Sequence, residues 1–365
     1  MRHSFQGVLR LLAEGVEAEY FPGAVLAVGY QGHHVFEAAV GHAALIPTER
    51  RMTLDTVFDL ASLTKPIATT TAVMRLLDAG QVRLDAPINA YVPAYGGAGE
   101  VSPTVRQLLS HCSGLPAWRP YYRALDPALP QQARRHAVYD AVHREPLIAP
   151  PATTMHYSDV GFILLGELVE TVTGVALDEF CRREIFQALQ LGDMGFLSLA
   201  RLCPMGRPYA STEACPWRGR VLDGEVHDEN AWIMGGVAGH AGLFATAREV
   251  LDFAQSLLAG LQGKSWLVSR TPLQAFTQRQ SLPEGSTWAL GWDTPTPGHS
   301  SAGRYFSPSS VGHLGFTGTS MWIDPVQDVV VVLLTNRVHP SRQREGIKAF
   351  RPCLHDAVMQ ALQLA

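Results

Sequence analysis

Apolar residues at Phe5, Val8, Leu11, Leu12 and Val16 recur at helical spacing, so the chain opens on an amphipathic helix. The period then changes. GAVLAVGY and VFEAAVGHA are apolar runs on either side of the Gly-containing QGHH, which predicts a β-hairpin. In TVFDLASLTKPIATTTAVMRLLDAGQV, helical spacing returns through Ile67, Val73, Met74 and Leu77, with Gly80 as a C-cap. Between Pro87 and Gly195 the pattern stays helical, broken by Pro and Gly, as in VRQLLSHCSG, 134–142 and VGFILLGELVETVTG. Residues 200–230 have little periodicity and read as a long irregular excursion, before REVLDFAQSLLAGL returns to helix. STWALGWDT, GHLGFTGTSMWIDP and DVVVVLLTNRV read as strands, the last two joined through Pro325-Val326-Gln327. EGIKAFRPCLHDAVMQALQ is a final helix, started or kinked at Pro352.

Both ends therefore supply helix and strand, and the middle supplies mostly helix. The economical arrangement is an α+β fold. One antiparallel sheet is built from both termini and flanked by helices, with a helical subdomain inserted to one side. Residues 1–60 and 245–365 would form the sheet region and 61–244 the insert, all within a single domain of 365 residues.

Composition narrows the partners. At 47% hydrophobic and 17% charged, the chain can build a sizeable core. Its formal net charge is -4 with Lys and Arg scattered singly, which argues against nucleic acid and against an anionic membrane surface. Arg10, Glu14, Glu17 and Glu19 interrupt every candidate apolar core of a secretory signal, so a cytoplasmic location is expected. Cys112, Cys181, Cys203, Cys215 and Cys353 form no C-x-x-C pair and read as buried free thiols.

Candidate chemistry begins at Ser62-Leu63-Thr64-Lys65. On a helix starting near Ser62, residues three apart share a face. A serine hydroxyl needs a neighbouring base, and a lysine whose pKa is lowered can serve. The helix N-terminus offers N–H groups to an oxyanion. Alone, S-x-x-K equally describes an N-capping serine with a solvated lysine. Tyr157-Ser158-Asp159 stands directly before an apolar helix, where a tyrosine relays protons or simply packs. His313-Leu314-Gly315 opens a strand and leads into Phe316-Thr317-Gly318-Thr319-Ser320, an edge suited to an oxyanion-stabilising N–H or a plain Gly-rich turn.

In this order, S-x-x-K, Y-x-(N/D) and (K/H)-x-G resemble the penicillin-recognising serine hydrolases: class C β-lactamases, serine D-Ala-D-Ala carboxypeptidases and β-lactamase-like esterases. FDLASLTKPIATTTAVMRLLDAGQVRLDAPINAYVP, VRQLLSHCSGLP, YSDVGFILLGELVE and GHLGFTGTSMWIDPVQDVVVVLLTNRVHP extend the resemblance from Phe21 to Pro340. It implies that Ser62 is the acylated nucleophile and that Lys65 accepts its proton or holds the network. Tyr157 becomes the general base and then acid. The Ser62 and Phe316 N–H groups form the oxyanion hole. Asp159, His313, Gly315, Thr317 and His240 bind substrate, and no metal or other cofactor is required.

Two departures shape the expected substrate. Asp159 stands where lactamases carry an amide. An ionised carboxylate donates no hydrogen bond, and a pair with Lys65 would keep the lysine charged. His313 replaces a lysine and removes fixed positive charge near neutral pH. Both suit an ester or a D-amino-acid-type peptide amide, such as a muropeptide-like one, better than a β-lactam. The segments Val226–Ala231 and Gly235–Phe244 resemble an esterase or penicillin-binding subgroup, and a Gly-rich turn there shapes a cleft wall. His227, Asp228 and His240 lack the spacing of metal ligands. His111 and Ser113 belong to a structural loop near the site. The rival reading is a penicillin-binding sensor that acylates without turnover. A metallohydrolase using some of the 14 histidines is the third.

Overall fold

The computed structural model describes residues 4–96, 101–198 and 208–365. Helix α1 (Gln6–Glu17) is followed by strands β1 (Gly23–Tyr30), β2 (His33–Ala44), β3 (Arg50–Arg51) and β4 (Phe58–Asp59). The middle supplies helices α2 (Thr71–Asp78), α3 (Val105–Leu109), α4 (Gln131–His143), α5 (Asp159–Thr173), α6 (Leu177–Cys181) and α7 (Glu229–Ile233). Short strands β5 (Gly195–Phe196), β6 (Ala214–Cys215), β7 (Arg220–Val221) and β8 (Leu243–Ala245) lie among and after them. Helices α8 (Ala247–Leu261) and α9 (Arg270–Thr277) precede strands β9 (Val311–Leu314), β10 (Ser320–Asp324) and β11 (Val329–Thr335). Helix α10 (Ile347–Ala361) comes last.

The main sheet has six strands in the order β3-β2-β1-β11-β10-β9, all pairs antiparallel. The β1–β11 pairing, from Ala24 opposite Thr335 to Tyr30 opposite Val329, joins the two ends of the chain. Both strands are apolar throughout because both faces are covered. Val25, Ala27, Val330, Val332 and Leu334 pack toward Val250 and Leu257 of α8. Their alternates, Leu26, Val28, Val331 and Leu333, pack toward Val8 and Leu12 of α1 and Leu354 and Val358 of α10. That division follows from the two-residue period of a strand. Leu63, Ile67, Val73, Phe162 and Leu165 of the helical region share the α8-side cluster, so the insert and the sheet hold a common core.

Some local expectations need correction. The turn between β1 and β2 is only Gln31-Gly32, with φ 51° and 75°, a two-residue hairpin turn that suits the strand twist. STWALGWDT is no strand. Gly291 has φ 76°, and a Cβ there would collide with Thr70 Oγ1, so the segment bends against the nucleophile region instead. One bridge survives, Asp293 to Gly312. Pro352 neither starts nor ends α10, which begins at Ile347. Among the cysteines, Cys112, Cys181 and Cys215 are buried, whereas Cys353 is exposed. Cys203 lies outside the described residues, as does part of the 200–230 excursion. No single helix among the described residues is long and apolar enough to cross a membrane.

Candidate active site

The backbone ahead of Ser62 is held in an unusual shape. Asp59 is buried, and its Oδ1 accepts the Ala61 N–H at 2.8 Å. Ala61 has φ 47°, a left-handed conformation that a β-carbon disfavours and that its surroundings must enforce. Residues Ala61–Leu63 then form a 3₁₀ turn, Lys65–Thr70 a π-helical stretch, and α2 continues. The simple α-helix expected from Ser62 is thus replaced by a tight turn opening into a wide one. Ser62 and Lys65 still share a face: Lys65 Nζ donates to Ser62 Oγ at 3.0 Å.

Lys65 is fully buried, and its ammonium has three acceptors. Besides Ser62 Oγ, these are Asp159 Oδ1 at 2.6 Å and the His240 carbonyl at 3.1 Å. Burial works against its charge, but Asp159 and Tyr157 more than offset that, and the Lys65 pKa ends above its ordinary value. Tyr157 is also pushed up, mainly by burial and further by Asp159, with Lys65 pulling the other way. The resting site therefore holds a charged lysine, a neutral phenol and a serine hydroxyl.

Tyr157 is clamped by rings. Its centroid lies 4.5 Å from that of His111, 5.6 Å from Trp288 and 5.8 Å from His313, and Lys65 Nζ sits 4.9 Å from its ring centre. Ser158 caps α5 by accepting the Gly161 N–H at 3.0 Å, while its hydroxyl donates to the Pro116 carbonyl at 2.7 Å. The Ser158 N–H donates to His111 Nδ1 at 3.0 Å. The SHCSGLP loop is thus the anchor of the Tyr157 motif, and His111 is a buried neutral ring whose pKa is depressed by burial and then by Lys65.

His313 lies on edge strand β9, where its Nδ1–H donates to the Leu314 carbonyl at 2.8 Å. Burial first, then Lys65, lowers its pKa to about 3, so the ring is neutral and supplies no charge to a substrate. Gly315 tolerates no side chain: a Cβ would collide with Thr319 Oγ1 and the Leu60 carbonyl. Thr317 departs from expectation. Its hydroxyl is buried and donates to the Asp59 carbonyl at 2.8 Å, so it braces the turn before Ser62 instead of facing substrate. Thr319 does the same for the Leu60 carbonyl at 3.0 Å. Arg351 of α10 donates to the carbonyls of Gly315 and Thr319 at 3.1 and 2.9 Å.

These elements enclose a cavity of about 770 Å³ lined by Ser62, Tyr157, Asp159, His240, His313, Gly315 and Phe316. Phe316 is half-exposed within it, faced by His227 at 5.6 Å and by the Arg337 guanidinium at 4.7 Å. His227 Nε2 is engaged by Glu213 at 3.2 Å. Sequence reasoning missed Trp288, Asp293, Trp118 and Met155, which also line the cavity. Burial pushes the Asp293 carboxyl up to about 6. Trp288 and Asp293 had a signal, an aromatic and an acid in one Gly-containing run, but it read as strand. Among the described residues, no group of three or more His, Cys, Asp and Glu is arranged to hold a metal ion.

Known proteins share this architecture. The Beta-lactamase family model matches residues 8–351. A protein of Escherichia coli (strain K12), provisionally named a D-alanyl-D-alanine carboxypeptidase, is 31% identical over 90% of this chain and 81% of its own length. A Salmonella typhi protein of the same name is 30% identical over 87% of this chain and 79% of its own. In fold, EstCE1, described as a hydrolase with promiscuous acyltransferase activity, superposes with a TM-score of 0.74 at 21% identity, covering 96% of this chain and 97% of its own. The octameric penicillin-binding protein homologue from Pyrococcus abyssi gives 0.74 at 20% identity, covering 98% and 77%. The chain belongs to the β-lactamase family and is a serine hydrolase of the β-lactamase and penicillin-binding-protein type.

Proposed function

We propose that Ser62 is acylated by an ester or a D-amino-acid-type peptide amide, and that water then releases the acyl group. The observation that carries this reading is Lys65 Nζ bonded at once to Ser62 Oγ and to Asp159 at the wall of the cavity. In acylation, Tyr157 first loses its proton to solvent, the Lys65 ammonium stabilising the phenolate, and then takes the Ser62 proton as Ser62 Oγ bonds to the carbonyl carbon. The N–H groups of Ser62 and Phe316 receive the oxyanion. Collapse breaks the bond to the leaving group, which takes its proton from Tyr157. Water repeats the sequence in reverse, and the acid product departs.

The carboxypeptidase name of the relatives supports a peptide-type substrate with a muropeptide-like chemistry. The neutral His313 and the acceptor-only Asp159 support poor β-lactam turnover. A second reading is favoured by the same ion pair. A lysine held charged by Asp159 slows deacylation, and a penicillin would then be trapped as by a sensor. Incubation with a short-chain p-nitrophenyl ester and a fluorescent penicillin, with Ser62→Ala as control, separates the two. Ester turnover without a lasting penicillin adduct is expected. A stable adduct on Ser62 with no turnover of either compound would overturn hydrolysis in favour of sensing.

A further inference from the structure

Two segments that stand out in the sequence beyond the three motifs, Val226–Ala231 and Gly235–Phe244, meet behind the nucleophile. Consecutive residues of the first reach different parts of it. The His227 N–H donates to Asp59 Oδ2 at 2.6 Å, and Asp59 Oδ1 holds the Ala61 N–H beside Ser62. Asp228 Oδ1 accepts the Ala231 N–H at 2.7 Å, capping α7, and meets His240 Nε2 at 2.8 Å. The His240 carbonyl in turn accepts from Lys65 Nζ. The second segment is fastened along the nucleophile helix on both sides of that contact. Leu243 N–H donates to Thr64 Oγ1 at 3.1 Å, and Thr69 Oγ1 donates to the Gly239 carbonyl at 2.7 Å.

The geometry of an amine gives this arrangement a consequence. Nζ has three positions beyond its bond to carbon. In the ammonium all carry hydrogen. The Asp159 carboxylate and a backbone carbonyl are both pure acceptors, so each faces one N–H of the resting ammonium, and the third N–H faces Ser62 Oγ. With its oxygen engaged by that N–H, Ser62 keeps its hydroxyl hydrogen turned away from Lys65 and available to Tyr157. Were the His240 carbonyl displaced, Asp159 alone would hold the ammonium, and the N–H toward Ser62 Oγ would lose its fixed direction.

We propose that Asp228 and His240 are a positioning pair that fixes the His240 carbonyl and so keeps an N–H of the Lys65 ammonium directed at Ser62 Oγ. The inference rests on the acyl-serine reading above. Neither side chain takes part in bond making. The pair sets the orientation of the Lys65 ammonium.

The test compares Asp228→Ala, His240→Ala and His240→Gln, the last of which keeps an N–H donor toward Asp228. Three quantities are read: kcat and KM for a p-nitrophenyl ester, the rate and stoichiometry of Ser62 labelling by a fluorophosphonate, and the Lys65 side-chain resonance. The chain has only three lysines, Lys65, Lys264 and Lys348, so lysine-selective isotope labelling isolates that resonance. For both alanine variants kcat should fall by about 10- to 100-fold with KM nearly unchanged, since small misplacements of a catalytic group act at this level. Labelling should slow while still reaching one probe per chain, and the Lys65 resonance should move. His240→Gln should recover most of the rate and the resonance. An unmoved Lys65 resonance in Asp228→Ala would overturn the proposal. So would a rate loss matched by fewer labelled sites, which marks misfolding. If the unmodified protein takes no label at Ser62, the acyl-serine reading fails instead, and the resonance still reports whether the pair holds Lys65.

Discussion

Asp159 decides the charge at the centre of the site. It lies 2.6 Å from Lys65 Nζ, and it raises the pKa of Lys65 and of Tyr157 alike. Tyr157 must give up its own proton before it can take the one from Ser62, so activity should rise as pH increases above neutrality. Asp159→Asn removes the anion that holds both values up. The rising limb of the kcat/KM profile should move to lower pH, by about one unit for each 1.4 kcal/mol of lost interaction. The amide also restores a donor toward a substrate carbonyl, so penicillin should acylate Asp159→Asn faster than the unmodified protein. A pH–rate series on both forms checks the first point and intact mass against time the second. An unshifted limb would show that Asp159 does not set the proton acceptor. That Ser62, Lys65, Tyr157, His313 and Gly315 would meet at one site was legible in the sequence because short motifs place them on single turns or strand ends. Thr317 was misjudged because a motif resemblance does not tell which hydroxyl finds an internal carbonyl. Trp288 and Asp293 were missed because only tertiary folding brings their irregular segment to the cavity.

At the scale of elements, the Gly235–Phe244 segment is wedged between the nucleophile helix and α5. A Cβ on Gly239 would collide with the Phe162 carbonyl and approach Gly166 of α5 to about 3.0 Å. Gly239→Ala should therefore cost about 2 kcal/mol or more, as overpacked sites do, and should slow Ser62 labelling by tilting the His240 carbonyl. Gly32→Ala is the control for an unobstructed position. Unlike Gly239 it has positive φ, but a Cβ there meets nothing within 4 Å, so its cost comes from the backbone alone and should stay at about 1 kcal/mol. Chemical denaturation of both variants gives the comparison, and equal losses would mean that contact with α5 is unimportant. The elements themselves were readable where one period persisted, as in β1, β11 and α8. They were not readable where a single backbone requirement overrode the pattern. Gly291 turns STWALGWDT away from strand geometry, and the positive φ of Ala61 replaces an α-helical start with a 3₁₀ turn.

For the whole molecule, the α+β architecture follows from two observations: apolar strands occur at both ends of the chain, and the middle is helical. Less visible is how many histidines the fold buries uncharged. His355 of α10 is fully buried, its Nδ1–H donating to the Ser301 carbonyl at 2.8 Å. Burial lowers its pKa from 6.5 to about 4. His313 is lowered to about 3. The unfolded chain binds protons at both positions below pH 6.5, whereas the folded chain resists until each depressed value is reached. Their contribution is thus complete above about pH 6.5 and is lost as pH falls toward 4 and then 3. His355 alone accounts for about 3 kcal/mol of this loss at the acid end. Tm should fall steeply between these limits, and less steeply in His355→Gln. Parallel curves for the two proteins would exclude His355 as a cause.

A covalent bond between Ser62 and the acyl group is the step on which the proposed hydrolysis depends. The direct measurement is intact-protein mass during turnover of a slow ester, quenched in acid and followed by peptide mapping, with Ser62→Ala alongside. A transient mass increase equal to the acyl group is expected, located on the peptide containing Ser62. In Ser62→Ala both the adduct and turnover should disappear, with a rate loss of at least about 10³-fold. Turnover that persists in Ser62→Ala, or an adduct mapped to another residue, would contradict it.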